Sequence, residues 1–461
     1  MPKFIDRVDE LATLENEYAR DCAAFVVLYG RRRVGKTTLI NHFCNDKKAI
    51  YFLATEENES ENRNSFKQLV AESLDNELLA NASLDSWAPI FKVIADESKK
   101  GRIVLVIDEF QYLGKANKAF SSVMQKIWDE ILQKSNVMLI LCGSLINMMT
   151  SQVLNYDSPL YGRRTAQIKL KQISFSYYHE FDESISAEKQ IQQYAVTGGV
   201  PKYIELFDSK KDIYKSIEKN VLEPGSFLYA EPEFLLQKEV SEIGSYFSVL
   251  KTIAAGNHKL SKIASTLGVS QSNLTSYLKT LIDLDIVERE VPITEENPEK
   301  SKMGLYRIKD NFISFWFRFV YPNRNLLESG HLQYALDKIK NNFIDNHVSF
   351  VYEDICRDDA WSLLSEGISF NRVGRWWGAK DVEIDILAYD SAGTDIVFGE
   401  CKYSKNKKGM EILDALRNKA TAVPWKKESR REHFVIYSKS GFTDDLLEYA
   451  QKQNNIYLRQ L

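Results

Sequence analysis

Hydrophobic patterning divides the chain into recognisable pieces. Ala23 to Leu28, Ile103 to Ile107 and Val137 to Cys142 are continuous apolar runs, and runs this short without a polar face predict strands buried on both sides, as in a parallel sheet. Behind the first run, Thr38, Leu39, Ile40 and Phe43 switch to helical spacing, which predicts a strand-turn-helix unit. Farther on, Leu260, Ile263, Ala264 and Leu267 share one helical face; after the turn at residues 268–270, Leu274, Tyr277, Leu278, Leu281 and Ile282 share another. Residues 286–291 and 304–308 then read as two short strands around a polar loop, so this region predicts a winged helix-turn-helix. Phe312, Phe315, Trp316 and Phe319 keep helical spacing in a segment dense in aromatics, which predicts core or a domain seam rather than a ligand cage. Near the end, Glu383, Asp385 and Leu387 alternate onto one strand face, and residues 394–403 should return antiparallel beyond an Asp390–Gly393 turn.

Composition narrows the classes. A chain of 461 residues should hold about three domains. A net charge of -4 excludes a globally basic nucleic-acid coat. The five cysteines are odd in number and scattered, without a CxxC pair, which argues against a disulfide framework or zinc ribbon and for a reducing compartment. The first ten residues carry no signal-peptide core and no apolar run approaches bilayer length, so a soluble, cytoplasmic protein without a membrane partner is expected.

The first turn carries the clearest chemistry. Gly30, Gly35, Lys36 and Thr37 satisfy G-x-x-x-x-G-K-[ST] between a strand and a helix. Phosphate binding needs backbone amides facing an anion, a helix N-terminus, a lysine for the terminal phosphates and a hydroxyl for Mg²⁺. The expected ATP-binding set is therefore Gly30, Arg31, Arg32, Arg33, Val34, Gly35, Lys36, Thr37 and Thr38. The run at Ile103 ends in Asp108, expected with Thr37 to hold Mg²⁺, and Glu109, expected to polarise the attacking water. Ser144, at the end of the third run, could lie between that water and the terminal phosphate. Arg163 or Arg164 could act as an arginine finger, in the same chain or across a homo-oligomer boundary.

With "FIDRVDEL", "GRRRVGKTTLI", "VLVIDEFQYL", the Gly143–Ser144 strand end, "PLYGR" and "TGGVP" in order, roughly residues 1 to 235 resemble the archaeal-type ATPases of the AAA+/STAND group. The resemblance implies that the leader, with Arg7, packs near the adenine. It also implies that Gly198 to Pro201 belong to a helical lid sensing nucleotide state, and that a winged helix follows as part of the architecture.

That winged helix is not basic. Residues 239–310 hold nine Lys or Arg against ten Asp or Glu, so an interdomain role is favoured over reading of duplex DNA, although Gln271, Ser272, Asn273, Thr275, Ser276 and Lys279 face outward.

In the last part, a four-residue loop pairing Tyr389 with Thr394 would set Asp385 diagonal to Glu400, and a two-residue loop would set them directly opposite. Either way Asp385, Glu400 and Lys402 share a face. Paired carboxylates suit Mg²⁺ or Mn²⁺, and the lysine could orient a metal-activated water. With Glu353 on the preceding helix, this resembles the signature of PD-(D/E)xK nucleases. The ATPase family also often carries an uncharacterised domain with such a core and a "W-W…EID…GECK" run, matched by Trp376, Trp377, Glu383 to Asp385 and Gly399 to Lys402. From Cys401 to Arg431 ten basic residues face three acids, a patch expected to bind nucleic acid, DNA foremost.

The expected fold is multi-domain α/β: a P-loop core with a parallel sheet over residues 1–165, a helical lid over 166–238, the winged helix over 239–310, an aromatic connector over 311–342 and a nuclease-like α/β domain over 343–461. The expected function is an ATPase whose nucleotide state gates a metal-dependent nuclease. The alternatives are a regulatory ATPase whose last domain binds nucleic acid or protein without cutting, and a nucleotide-responsive DNA-binding regulator.

Overall fold

In the computed structural model, residues 4–378 and 382–461 are described. The chain gathers into two compact units. One comprises Met1–Ile173, Val200–Lys202 and Phe234–Ser241; the other comprises Ser174–Gly199, Tyr203–Glu233 and Glu242–Leu461. Most of the segment expected as a lid thus groups with the second unit.

The first unit is built on strands β1 (Ala24–Tyr29), β2 (Ala49–Leu53), β3 (Ile103–Asp108), β4 (Val137–Gly143) and β5 (Ala166–Lys169), hydrogen-bonded in the order β2-β3-β4-β1-β5. All four pairings are parallel. The continuous apolar runs become β1, β3 and β4, buried along their whole length because helices cover both faces. Leu28, Val106 and Ile140 pack with Leu39 and Phe43 of the Lys36–Cys44 helix. Each such fully buried side chain contributes about 1.5–3 kcal/mol. The turns after β1, β3 and β4 consequently meet at one edge of the sheet, the carboxyl edge, where ligands sit in open α/β folds.

In the second unit, helices Ile243–Ala254, Leu260–Leu267 and Gln271–Asp283 precede an antiparallel ribbon of β6 (Val287–Glu290) and β7 (Leu305–Ile308). Leu274, Leu278 and Leu281 are buried, and the polar face from Gln271 to Lys279 is exposed, as the pattern predicted. The aromatic segment is core: Phe312, Phe315 and Trp316 are fully buried, and the Trp316 Nε1 donates to the Tyr229 carbonyl at 2.7 Å.

The last part holds β8 (Arg372–Trp377), β9 (Glu383–Tyr389), β10 (Asp395–Lys402), β11 (Arg431–Ser438) and β12 (Ile456–Arg459) in the order β12-β11-β10-β9-β8. Pairings are antiparallel from β8 to β10 and parallel from β10 to β12. The Ser349–Asp359 helix precedes this sheet, and the Met410–Ala420 helix connects β10 to β11.

The β9–β10 connection differs from both expected loops. Tyr389 pairs with Ile396, so six residues, 390–395, make the turn. The extra length has a cause. Asp390 Oδ1 accepts the Ala392 amide at 3.0 Å and the Asn371 side chain at 3.0 Å, while Asp395 is drawn inward by Arg431 and by the Ser369 amide at 3.2 Å. The ladder ends at Gly399 opposite Ile386, and one step on, Asp385 Oδ2 accepts the Cys401 amide at 2.9 Å. Asp385 therefore lies abreast of Glu400, the spacing that the two-residue loop would have given.

The five cysteines are free thiols. Among the described residues, no helix is long and apolar enough to cross a membrane.

Gly399 sits where a Cβ would come within 2.7 Å of the Ile386 Cβ and 3.0 Å of the Val435 side chain. Gly399→Ala should therefore destabilise the terminal sheet by about 1–3 kcal/mol, measured by denaturant unfolding.

Candidate functional site

The loop after β1 is shaped by left-handed residues. Gly30 has φ 154°, Arg33 69° and Gly35 96°, and a Cβ on Gly30 would lie 2.3 Å from the Leu170 carbonyl oxygen. Only glycine fits there. Lys36 opens the following helix, and its Nζ donates to the carbonyls of Gly30 at 2.9 Å and Arg31 at 3.0 Å, so the ammonium braces the loop from within. Burial lowers its pKa, and the charges of Cys142, Glu109 and Asp108 pull the other way. Thr37 and Thr38 are exposed, Arg31 and Val34 are buried, and Arg32 donates to the Tyr112 hydroxyl at 3.1 Å.

Arg7 ties the leader to this loop. Its Nη2 donates to the carbonyls of Val34 at 2.9 Å and Lys171 at 2.8 Å, and its own φ is 77°. Burial lowers its pKa against the opposing fields of Glu10 and Asp6. Phe4 stacks on His42 with ring centroids 4.0 Å apart.

At the end of β3, Asp108 is buried, accepts the Tyr51 hydroxyl through Oδ2 and accepts the Glu109 amide through Oδ1 at 2.8 Å. Burial, then Asp108, raise the Tyr51 pKa, and Thr37 is hydrogen-bonded to the same phenol. Glu109 takes φ 52°, which turns the chain out of the strand and aims its carboxylate sideways. Ser144 Oγ donates to both Glu109 oxygens at 2.9 and 2.7 Å, and Gln111 Nε2 donates to Oε2. Ser144, expected between the attacking water and the terminal phosphate, is bonded through its hydroxyl to Glu109. Gln111, Tyr51 and Glu239 were missed. Glu239 accepts the amides of Ile146 at 2.9 Å and Asn147 at 3.3 Å, and burial raises its pKa against the nearby charges of Arg32 and Lys36. Nothing local in the sequence connects Glu239 with residues 92 and 93 positions away.

The two candidate fingers are unequal. Arg163 makes a bidentate pair with Asp129, both bonds 2.8 Å, and donates to the Pro159 carbonyl at 2.8 Å. Arg164 lies over the Tyr161 ring, 5.6 Å from Cζ to centroid, and its buried Nη1 has no hydrogen-bond partner among the described residues.

The terminal sheet and the Ser349–Asp359 helix bring Asp385, Glu353, Glu400 and Lys402 within reach of one another's charges. Burial raises the Glu353 pKa, and the negative field of Asp385 raises it further; Arg375 and Arg357 oppose the shift. Asp385 is likewise raised, by burial first and Glu400 second. Glu400 is 5% exposed and clamped by two ammoniums: Lys402 Nζ reaches Oε1 at 2.7 Å, and Lys419 Nζ reaches Oε1 at 2.9 Å and Oε2 at 2.8 Å. Lys419 was read only as part of a basic patch. Its role could not be read from the chain, because it comes from the crossover helix.

At the expected metal pair both Glu400 oxygens are engaged by lysine ammoniums, and among the described residues no group of three or more His, Cys, Asp or Glu side chains is placed to hold a metal ion. The expected nucleic-acid patch is also smaller than its count suggests. Lys402 and Lys419 are spent on Glu400, Arg430 on Glu432, Arg431 on Asp395, and Lys426 on the carbonyls of Ser391 and Gly393.

A parallel sheet whose first turn is a glycine loop closed by lysine, and whose third strand ends in Asp-Glu, defines a P-loop ATPase domain of Walker type. The family described as an ATPase domain predominantly from Archaea matches residues 4–207, and a family of archaeal and bacterial proteins of unknown function matches residues 316–412. The chain belongs to the archaeal ATPase family: the uncharacterized protein MJECL04 of Methanocaldococcus jannaschii is 35% identical over 418 residues, 90% of each chain. The uncharacterized ATP-binding protein MJ0423 of the same organism is 49% identical over 45 residues, 10% of this chain and 76% of that protein. Among solved structures, the Walker-type ATPase paby2304 of Pyrococcus abyssi aligns with a TM-score of 0.52 at 19% identity, over 68% of this chain and 96% of that one, a likeness of fold.

The raised Glu353 pKa has a testable sign. Its carboxyl moves from 4.5 up to about 8 in the folded chain. The folded state thus holds this proton more tightly than the unfolded one, and the resulting stability is complete below about 4.5 and lost as pH rises through about 8. Glu353→Gln should gain stability relative to the wild type across that window, by on the order of 1 kcal/mol or more, followed by thermal unfolding as a function of pH.

Proposed function

We propose that the protein is an ATP-hydrolysing regulatory ATPase. The observation that carries this reading is the Glu109 carboxylate, held by Ser144 and Gln111 at the carboxyl edge of the sheet, beside a lysine-braced phosphate loop. The amides of residues 30–38 and the N-terminus of the Lys36–Cys44 helix would cradle the phosphates, and Lys36 would exchange its loop carbonyls for phosphate oxygens. Thr37 and Asp108 suit Mg²⁺, because a hydroxyl and a buried carboxylate already meet through Tyr51. When bound, that ion would supply charge neutralisation on the phosphates. Glu109 would orient and deprotonate the attacking water, with Ser144 and Gln111 fixing its angle. Arg164 is the better-disposed finger, since Arg163 is engaged by Asp129.

For the terminal domain, the clamping of Glu400 favours a module that binds without cutting over a metal-dependent nuclease. Supporting the cleavage reading are the helix-strand-strand-strand-helix-strand order and the convergence of Asp385, Glu353 and Lys402. The three-helix and ribbon module, as a winged helix, would relay nucleotide state to it.

Glu109→Gln should retain ATP binding and lower the hydrolysis rate by about 100-fold or more, measured by phosphate release. Binding lost along with hydrolysis would point instead to a structural role. In parallel, incubation of the wild type with plasmid DNA and Mn²⁺ should give no nicking; nicking that disappears in Asp385→Ala while ATPase persists would restore the cleavage reading.

A further inference from the structure

A cavity of about 280 Å³ lies within the second unit, where the three-helix and ribbon module meets the terminal domain. That volume is at the lower edge of small-molecule pockets, ~300–1,000 Å³. Its wall contains three arginines. Two are answered. Arg307 bonds Asp354 at 2.7 Å and Glu290 at 3.2 Å, and Arg375 bonds Glu290 at 3.1 Å and Glu383 at 3.6 Å. The third, Arg318, has no acidic partner among the described residues. Its guanidinium lies 5.8 Å from the Phe350 ring centroid, and burial alone acts on its pKa, lowering it.

A largely buried cation without a counter-ion is unfavourable. The wall's three arginines face three acids, Glu290, Asp354 and Glu383, so the cavity balances as a whole, and Arg318 is the arginine of the wall with no acid bonded to it among the described residues. Beside Arg318 the wall offers the Ser314 hydroxyl, the Asn311 amide, and an apolar lining of Ile253, Leu305 and the exposed Phe350. Burial holds His347 down to about 3, with its Nε2 at 2.7 Å from the Ala195 carbonyl oxygen, and His258 Nδ1 lies 2.9 Å from the Tyr306 carbonyl oxygen.

We propose that this cavity is a binding site for a small organic anion, one carboxylate or phosphate-ester group paired with Arg318 and a flat apolar body packed on Phe350, Ile253 and Leu305. Arginine is suited to both halves, since its planar fork takes an oxyanion edge-on while its face lies over a ring. The site is independent of whether the terminal domain cuts anything. It is nevertheless connected to the acid cluster, because Asp354 in the cavity wall bonds Arg357 at 2.5 Å, and Arg357 Nε donates to the Asp385 carbonyl at 3.3 Å.

The test uses the full chain with benzoate and phenyl phosphate as anionic probes and benzyl alcohol as the neutral one, read by calorimetric titration and thermal unfolding. At least one anion should bind and raise the unfolding temperature, and benzyl alcohol should not. Arg318→Leu should weaken that anion by about tenfold or more, Arg318→Lys should recover part of the loss, and ligand-free Arg318→Leu should unfold no lower than the wild type. Failure of both anions to bind the wild type, or equal binding to Arg318→Leu, overturns the proposal. Should Arg318→Leu not fold, hydrogen exchange of the wild type decides. Anion-induced protection of helices Ile243–Ala254 and Ser349–Asp359 supports the site, and protection confined elsewhere refutes it.

Discussion

A carboxylate delivered to the end of a buried strand must find a partner, because water cannot solvate it there. Both sheets of this protein are organised around that constraint. In the first, Asp108 is answered by the Tyr51 hydroxyl and the Glu109 amide, and Glu109 by Ser144 and Gln111. In the second, Asp385 is answered by the Cys401 amide and Glu400 by Lys402 and Lys419. The partners differ in kind, and so does the chemistry each sheet can support. Glu109 is held by neutral donors, the Ser144 hydroxyl and the Gln111 amide, which suits the base role proposed for it. Two ammoniums cancel the charge of Glu400 and leave little for a cation to bind.

The same constraint explains the charge pattern in the second unit. Arg307, Asp354, Arg357, Glu290 and Arg375 form a continuous alternating network at the base of the terminal domain. Most members have a second partner, and removing Asp354 would leave the buried Arg357 without its acid. Arg318 stands outside it, which is why its neighbourhood reads as a site rather than as scaffolding.

What could be read from the chain followed the range of the interaction. The strands β1, β3 and β4, the phosphate loop and the Asp108–Glu109 pair are local patterns, and each was legible with its place at the sheet edge. The buried faces of the Leu260–Leu267 and Gln271–Asp283 helices were legible for the same reason. The β9–β10 turn was not, because its length depends on Arg431 pulling Asp395 inward from a strand that comes later. Lys419, Gln111 and Glu239 were equally hidden: each matters through a partner set by tertiary packing. The basic run after Cys401 shows the converse, since a count of charges does not reveal which of them bond carboxylates within the chain.

The left-handed backbone at Glu109, φ 52°, holds a further consequence. A side chain in that region is strained by on the order of 1–3 kcal/mol, and glycine is not. Selection for thermal tolerance alone would therefore drift toward glycine or asparagine at this position, trading away the carboxylate proposed above as the base. Persistence of an acid here across descendants of this chain would record selection for turnover, acting against the pull of the fold itself.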